Sequence, residues 1–266
     1  MMKYRFNYFL CILLLLSISS CQVINVRDKN FKTELVKGGD FWITTYQKIT
    51  DPTRPYVFYL EGDRKAFYGE QLLLNNLTPT KNTVLQLIAL DTRPNVVYIA
   101  SPCQYASTRL NPKCTSQYWT HKRFSENIVS AIDSVINKIN NKQKFSLIGY
   151  AEGGTIAVLI AARDNLVKDI ITISSNLDTT AFAIFHQDKP MIGSLNPIDY
   201  TEQVKHIPQL HLSGGKDKIV PPFLAHRFVK KASSLCVKQR ILPNVAHSSG
   251  WRQNWGYILS EPLHCS

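Results

Sequence analysis

The sequence predicts an α/β fold, with a mostly parallel central sheet covered by helices on both faces. Three observations carry this expectation. Tyr56–Leu60 and Val96–Ala100 are short, continuous apolar runs rich in β-branched and aromatic residues, the pattern of strands buried on both sides. From Phe124 to Ile139, the residues Ile128, Val129, Ile132, Val135, Ile136 and Ile139 recur at helical spacing. Between Lys144 and Arg163 the chain reads KFSLIGYAEGGTIAVLIAAR. This apolar run ends at Gly149, turns through Tyr150-Ala151-Glu152 and restarts at Gly153-Gly154 as an apolar segment of helical length. Strands alternating with helices need crossover connections, and those build parallel sheets with both faces covered.

The chain opens with Lys3 and Arg5, an apolar run from Phe9 to Leu16, and Ile18-Ser19-Ser20-Cys21. A basic start, a short apolar core and small residues before a cleavage point predict a secretory signal over residues 1–20, too short for a stable membrane span. Ile18-Ser19-Ser20-Cys21 resembles a bacterial lipobox, in which the cysteine is lipidated and becomes the first residue after cleavage. The alternative is an ordinary signal cut nearby that leaves Cys21 free; a cysteine directly after paired small residues favours the lipobox. Gln22 stands where an aspartate would retain a lipoprotein in the inner membrane, so the resemblance implies the outer membrane, facing the periplasm. The expectation is an exported cell-envelope protein held to the membrane through Cys21. Residues 21–40 are polar and mixed and read as a tether. Residues 41–266 read as one domain, and 44% hydrophobic content is ample for its core.

Within the domain, Phe41–Ile49 alternates as a strand does, and Asp51–Pro55 is a turn. The buried strand Tyr56–Leu60 runs into Glu61-Gly62-Asp63. A helical pattern covers Asn82–Asp91, the strand Val96–Ala100 follows, and Ser101–Thr120 is a loop holding Cys103 and Cys114. After the central strand–turn–helix unit, a strand at Asp169–Ile173 ends in Ser174-Ser175-Asn176-Leu177-Asp178. Residues 179–205 carry no strong period and are expected to form a small cap. The strand Leu210–Leu212 ends in Ser213-Gly214-Gly215-Lys216-Asp217, a helix runs through Lys231, Val237–Leu242 is the last strand, and Pro243–Trp251 is a loop.

Beyond Cys11 and Cys21 the chain holds Cys103, Cys114, Cys236 and Cys265. An even count in an exported chain suggests two disulfides, and local pairing is the simplest of three connectivities. Closing the first loop would stabilise the fold on the order of 3 kcal/mol in the chain-entropy model. No Cys/His ligand spacing appears, so no metal or other cofactor is expected. The net charge of +12 is spread over scattered bases with no aromatic-interleaved basic stretch, which argues against nucleic acid as a partner and leaves anionic membrane surfaces as a weak attraction.

Strand, tight turn and helix with Gly149 and Gly153 flanking the central residue is the geometry of a nucleophile elbow, G-x-S-x-G. The central residue is Ala151, whose methyl group cannot attack a carbonyl. In an open parallel sheet, active residues gather at the carboxyl ends of strands. Ala151, Asp217 and His247 all fall there, in the order nucleophile, acid, histidine. Asp217 would orient His247, and the backbone N–H groups of Glu152 and Asp63 would form an oxyanion hole. The rival readings are an Asx turn for Asp217, a surface histidine for His247 and a tight turn for Gly62; order and placement together favour the site.

The segments Glu61-Gly62-Asp63, Cys103-Gln104-Tyr105 with Cys114 and Trp119, Asn176-Leu177-Asp178 with Ser194-Leu195-Asn196-Pro197, Gly214-Gly215-Lys216-Asp217, and His247 with Gly250-Trp251 resemble those of a family of bacterial envelope α/β-hydrolases. The similarity runs from about residue 54 to the C-terminus. It implies the α/β-hydrolase fold, an ester- or acyl-hydrolase ancestry, and a small acyl, ester or lipid-like ligand. Two departures stand out. The family's elbow serine is Ala151 here, and Arg64 replaces the glycine that commonly follows the EGD segment.

Removing the serine from such a triad costs about 10⁶-fold in turnover. Three readings accommodate the alanine. The chain keeps a pocket for binding, or a serine was replaced in an otherwise active hydrolase, or Asp217 and His247 activate water directly on labile substrates. A relocated nucleophile is disfavoured: the Glu152 side chain is expected to point away from that of Ala151, and Ser174 and Ser175 to lack a strained turn. A non-catalytic binding or scaffold lipoprotein is the competing class.

Overall fold

The computed structural model describes residues 30–62, 83–106 and 109–266. Among these, eight strands form one sheet: β1 (Lys32–Gly38), β2 (Phe41–Ile49), β3 (Tyr56–Leu60), β4 (Asn95–Ile99), β5 (Phe145–Tyr150), β6 (Val167–Ile173), β7 (Gln209–Gly214) and β8 (Val237–Leu242). Their spatial order is β1-β2-β4-β3-β5-β6-β7-β8. The pairs β1–β2 and β2–β4 are antiparallel and every later pair is parallel. The predicted mostly parallel sheet is therefore the observed one.

Period-two alternation along the inner strands separates two cores. Phe58, Leu60, Val97, Ile99, Phe145 and Leu147 face one side. Val57, Tyr59, Val96, Tyr98, Ile148 and Tyr150 face the other. The first face is covered by α2 (Glu126–Ile139), α3 (Glu152–Ala161) and α6 (Phe223–Ala232), the second by α1 (Thr83–Ile88) and α7 (Trp251–Ser260). Helix α2 buries Ile128, Val129, Ile132, Val135 and Ile136, the stripe its spacing predicts. Helix α3 is apolar almost all round and buries every residue from Gly153 to Ala161, because it is wedged between the sheet and α2.

Three features differ from the sequence expectation. Lys32–Gly38, assigned to the tether, is strand β1, paired along its length with β2. It is largely exposed, so it has no apolar face to register in the sequence. Helix α7 begins at Trp251, where only a loop end was expected, and buries Trp251, Trp255 and Ile258. Residues 179–205, where no regular element was expected, contain helix α4 (Thr179–His186), a 3₁₀ turn at Pro197–Tyr200 and the short α5 (Thr201–Val204).

Disulfides join Cys103 to Cys114 and Cys236 to Cys265, the local pairing. The second closes a loop around β8, His247 and α7. No described helix is long and apolar enough to cross a membrane. Cys21 and the signal region lie outside the described residues.

Candidate active site

The strand β5 delivers Ala151 onto a strained turn. Its φ of 50° and ψ of −118° are rarely adopted by a residue with a Cβ, and the next residue opens α3. The turn is fixed by a bond from the Ala151 N–H to the Ile173 carbonyl at 2.8 Å. It also requires close backbone approach. A Cβ on Gly149 would lie 2.3 Å from the Gly153 carbonyl oxygen, and one on Gly153 would lie 2.2 Å from that of Leu60.

One strand beyond β6, the loop after β7 carries Asp217. Its side chain is fully buried. Oδ1 accepts from the N–H groups of Ile219 and Val220, both at 2.9 Å, and Oδ2 lies 2.9 Å from Nδ1 of His247. Burial alone would raise the carboxyl pKa. The His247 hydrogen bond and charge, with the Val220 N–H, outweigh it and hold the group below the usual carboxylate range. An ionised Asp217 fixes the proton of His247 on Nδ1 and leaves Nε2 as the basic nitrogen.

The loop after β8 brings His247 to this partner. Its backbone carbonyl accepts from the Tyr150 hydroxyl at 3.1 Å and from the Trp251 indole at 2.9 Å. Tyr150 is the residue before Ala151, so the elbow and the histidine loop are tied directly. Ala151 and His247 line one cleft of ≈ 40 Å³, together with Arg123, Phe124, Glu152, Asn176, Phe182, Met191, Ile219 and Val220. That volume holds a few water molecules. A larger open groove of ≈ 470 Å³, lined by Lys144, Arg163, Lys168 and His206, lies at the amino ends of β5 and β6. We place the site in the smaller cleft, because the His247–Asp217 pair opens there.

Solved structures share this arrangement of sheet and helices. The acylaminoacyl peptidase of Pyrococcus horikoshii superposes with a TM-score of 0.63 at 15% identity over 86% of this chain and 41% of that one. The esterase Pf2001 of Pyrococcus furiosus gives 0.59 at 13% identity over 89% and 93%, and Est1E from Butyrivibrio proteoclasticus gives 0.59 at 12% over 86% and 98%. The fold is that of the α/β-hydrolases. The chain spans about two-fifths of the peptidase and nearly the whole of each esterase. No family model matches the sequence, and no curated protein sequence matches it significantly.

Within the α/β-hydrolase fold, Ala151, Glu152, Asp217 and His247 occupy one rim of the sheet. Glu152 opens α3, which sets its N–H at the positive end of the helix dipole. Asp63 and Arg64 lie outside the described residues. Two expectations are corrected. The Glu152 side chain does not turn away from the cleft: it lines it and accepts from Arg123 Nη1 at 3.2 Å, because the buried guanidinium of Arg123 holds it there. Ser174 does have a strained backbone, with φ of 49°, but it is buried to 1% exposure and does not line the cleft.

The segments that carried the resemblance are joined in pairs. The Gln104 side chain bonds the Gly62 carbonyl, and the Asn196 side chain accepts from the Thr179 N–H at 2.9 Å. Asp178 caps α4 through the Ala181 N–H and accepts from Arg227 at 2.7 Å. Arg123 escaped the sequence reading because it precedes a helix with no pattern around it. Asn176 was visible in a noted segment but had no role.

Proposed function

We propose that this chain is an envelope lipoprotein built on a serine-hydrolase framework, which binds a small acyl, ester or lipid-like ligand in the cleft beside Ala151. Turnover is lost or strongly reduced because no hydroxyl stands at the elbow. The observation that carries the reading is the His247–Asp217 pair at 2.9 Å opening onto the same cleft as the elbow residue. In a working hydrolase His247 Nε2 would take the proton of the nucleophile and return it to the leaving group, while the Glu152 N–H would stabilise the developing oxyanion. The similarity in fold to two esterases and an acylaminoacyl peptidase supports an acyl group as the ligand's recognised part. Attachment at Cys21 and residence in the outer membrane rest on the leader sequence.

The competing reading, a binding or scaffold lipoprotein without catalytic machinery, is favoured by Ala151 itself. Ala151→Ser separates the two. Gain of labelling by a fluorophosphonate probe, with hydrolysis of p-nitrophenyl acetate, supports a hydrolase lacking only its nucleophile; no gain in either assay sinks that reading. Palmitate labelling of the expressed chain, compared with Cys21→Ala, tests the anchor: unchanged labelling rejects it.

A further inference from the structure

We infer that the cleft takes acyl groups no larger than acetyl or propionyl, and that the ring of Phe182 on helix α4 sets this limit. The inference rests on the acyl-ligand reading above and narrows its ligand class. Phe182 is half-buried and lines the cleft with Ala151 and His247. Its ring packs on the imidazole of His186, one turn further along α4, with centroids 4.4 Å apart. His186 Nε2–H in turn donates to the Ile219 carbonyl at 2.7 Å, and Ile219 is a wall residue of the same cleft. The phenyl ring therefore lies on the side of α4 that meets the loop after β7. The Ile219 N–H donates to Asp217 Oδ1 at 2.9 Å, so one residue joins α4 to the carboxylate that holds His247.

The start of α4 is held as well. Asp178 accepts from the Ala181 N–H at 3.0 Å and from Arg227 at 2.7 Å, and the Thr179 N–H donates to the Asn196 side chain at 2.9 Å. With both ends tied, α4 is a fixed wall. Elsewhere around the cleft, Phe124 and Val220 are buried, and a close-packed interior yields little room. The space left is ≈ 40 Å³, enough for about three water-sized groups, the size of an acetyl group. A longer chain must displace packed side chains, a penalty worth about tenfold or more in affinity. An open apolar surface would do the opposite, since each added CH₂ favours transfer out of water. A fixed wall and an open surface thus predict opposite orders of affinity.

Dissociation constants of methyl acetate and methyl hexanoate are measured by NMR titration of the disulfide-intact native protein, followed at the His247 imidazole so that the signal reports the cleft. The expected result is binding of methyl acetate about tenfold or more tighter than methyl hexanoate. Phe182→Ala reverses the order, because the vacated ring volume admits the longer chain; should that variant not fold, Phe182→Leu moves the ratio in the same direction by about threefold. Methyl hexanoate binding the native protein as tightly as methyl acetate, or more tightly, overturns the inference and spares the acyl-ligand reading. An unchanged ratio in the folded Phe182 variant assigns the limit to another wall and also overturns it. Binding of neither ester by either protein removes both.

Discussion

The side chain of Gln104 donates from Nε2 to the carbonyl of Gly62 across 3.1 Å, while its Oε1 accepts from the Ser101 N–H at the same distance. One fully buried carboxamide thereby pins the loop after β4 to the loop after β3, beside the elbow. A Cβ on Gly62 would stand 2.9 Å from that of Ala151, so a shift of this loop is felt at the cleft. Gln104→Leu fills the space but leaves a buried donor and a buried acceptor unpaired. The expected cost is about 2 kcal/mol or more, a fall in Tm of roughly 4 °C or more for a domain of this size. Thermal unfolding measures it, and an unchanged Tm would mean that water replaces both bonds.

Sequence patterning recovered the elements that bury a continuous or periodic apolar face. Strands β3, β4 and β5 and helix α2 lie within a residue or two of their expected bounds. Strand β1 carries little sequence signal because its side chains are mostly exposed and its order comes from pairing with β2 and from α2 packing beside Gly38. Helix α7 does carry a sequence signal, since Trp251, Trp255 and Ile258 stand at helical spacing after Gly250. For the site, chain order sufficed to single out Asp217 and His247, whose hydrogen bond spans 30 residues. Arg123 and Asn176 enter the cleft from separate loops, and only folding brings them there.

The backbone at Ala151 keeps the conformation of an elbow without the group that such a conformation exposes. A residue with a Cβ in this region costs about 1–3 kcal/mol. Ala151→Gly removes that strain and returns about 0.4–1 kcal/mol to the flexibility of the unfolded chain. The net expectation is stabilisation of roughly 1 kcal/mol, seen as a rise in Tm of about 2–4 °C. Urea unfolding checks it; destabilisation would show that the alanine methyl packs well enough to outweigh its backbone.

In an Ala151→Ser background, Asp217 is expected to stay ionised throughout the range in which a histidine titrates, because its carboxyl is held low. Asp217→Asn should then lower kcat by about 10⁴-fold by selecting the wrong tautomer of His247. Stability follows the same group. A depressed folded pKa contributes stability that is present above the unfolded pKa and lost as pH falls through the folded one. The deficit of Asp217→Asn in urea unfolding should therefore be larger at pH 7 than at pH 2. Equal deficits at both would show that packing, not charge, is what the substitution removes.

A second histidine, which does not line the cleft, sets a separate acid limit. His211 lies in β7, fully buried against Phe228, with Nδ1 2.9 Å from the Thr172 hydroxyl. Burial lowers its pKa to about 3. The unfolded chain takes up a proton near pH 6.5 and the folded chain does not, so the contribution is full above that value and falls as pH drops toward the folded pKa. By pH 5 the gap is worth about 2 kcal/mol. Replacing His211 with glutamine keeps a polar partner for Thr172 and removes the titration. Between pH 7 and pH 5 the native chain should lose about 2 kcal/mol more than His211→Gln in urea unfolding; parallel losses would show that the imidazole gains a proton without unfolding, through an opening of β7 that the static packing does not display.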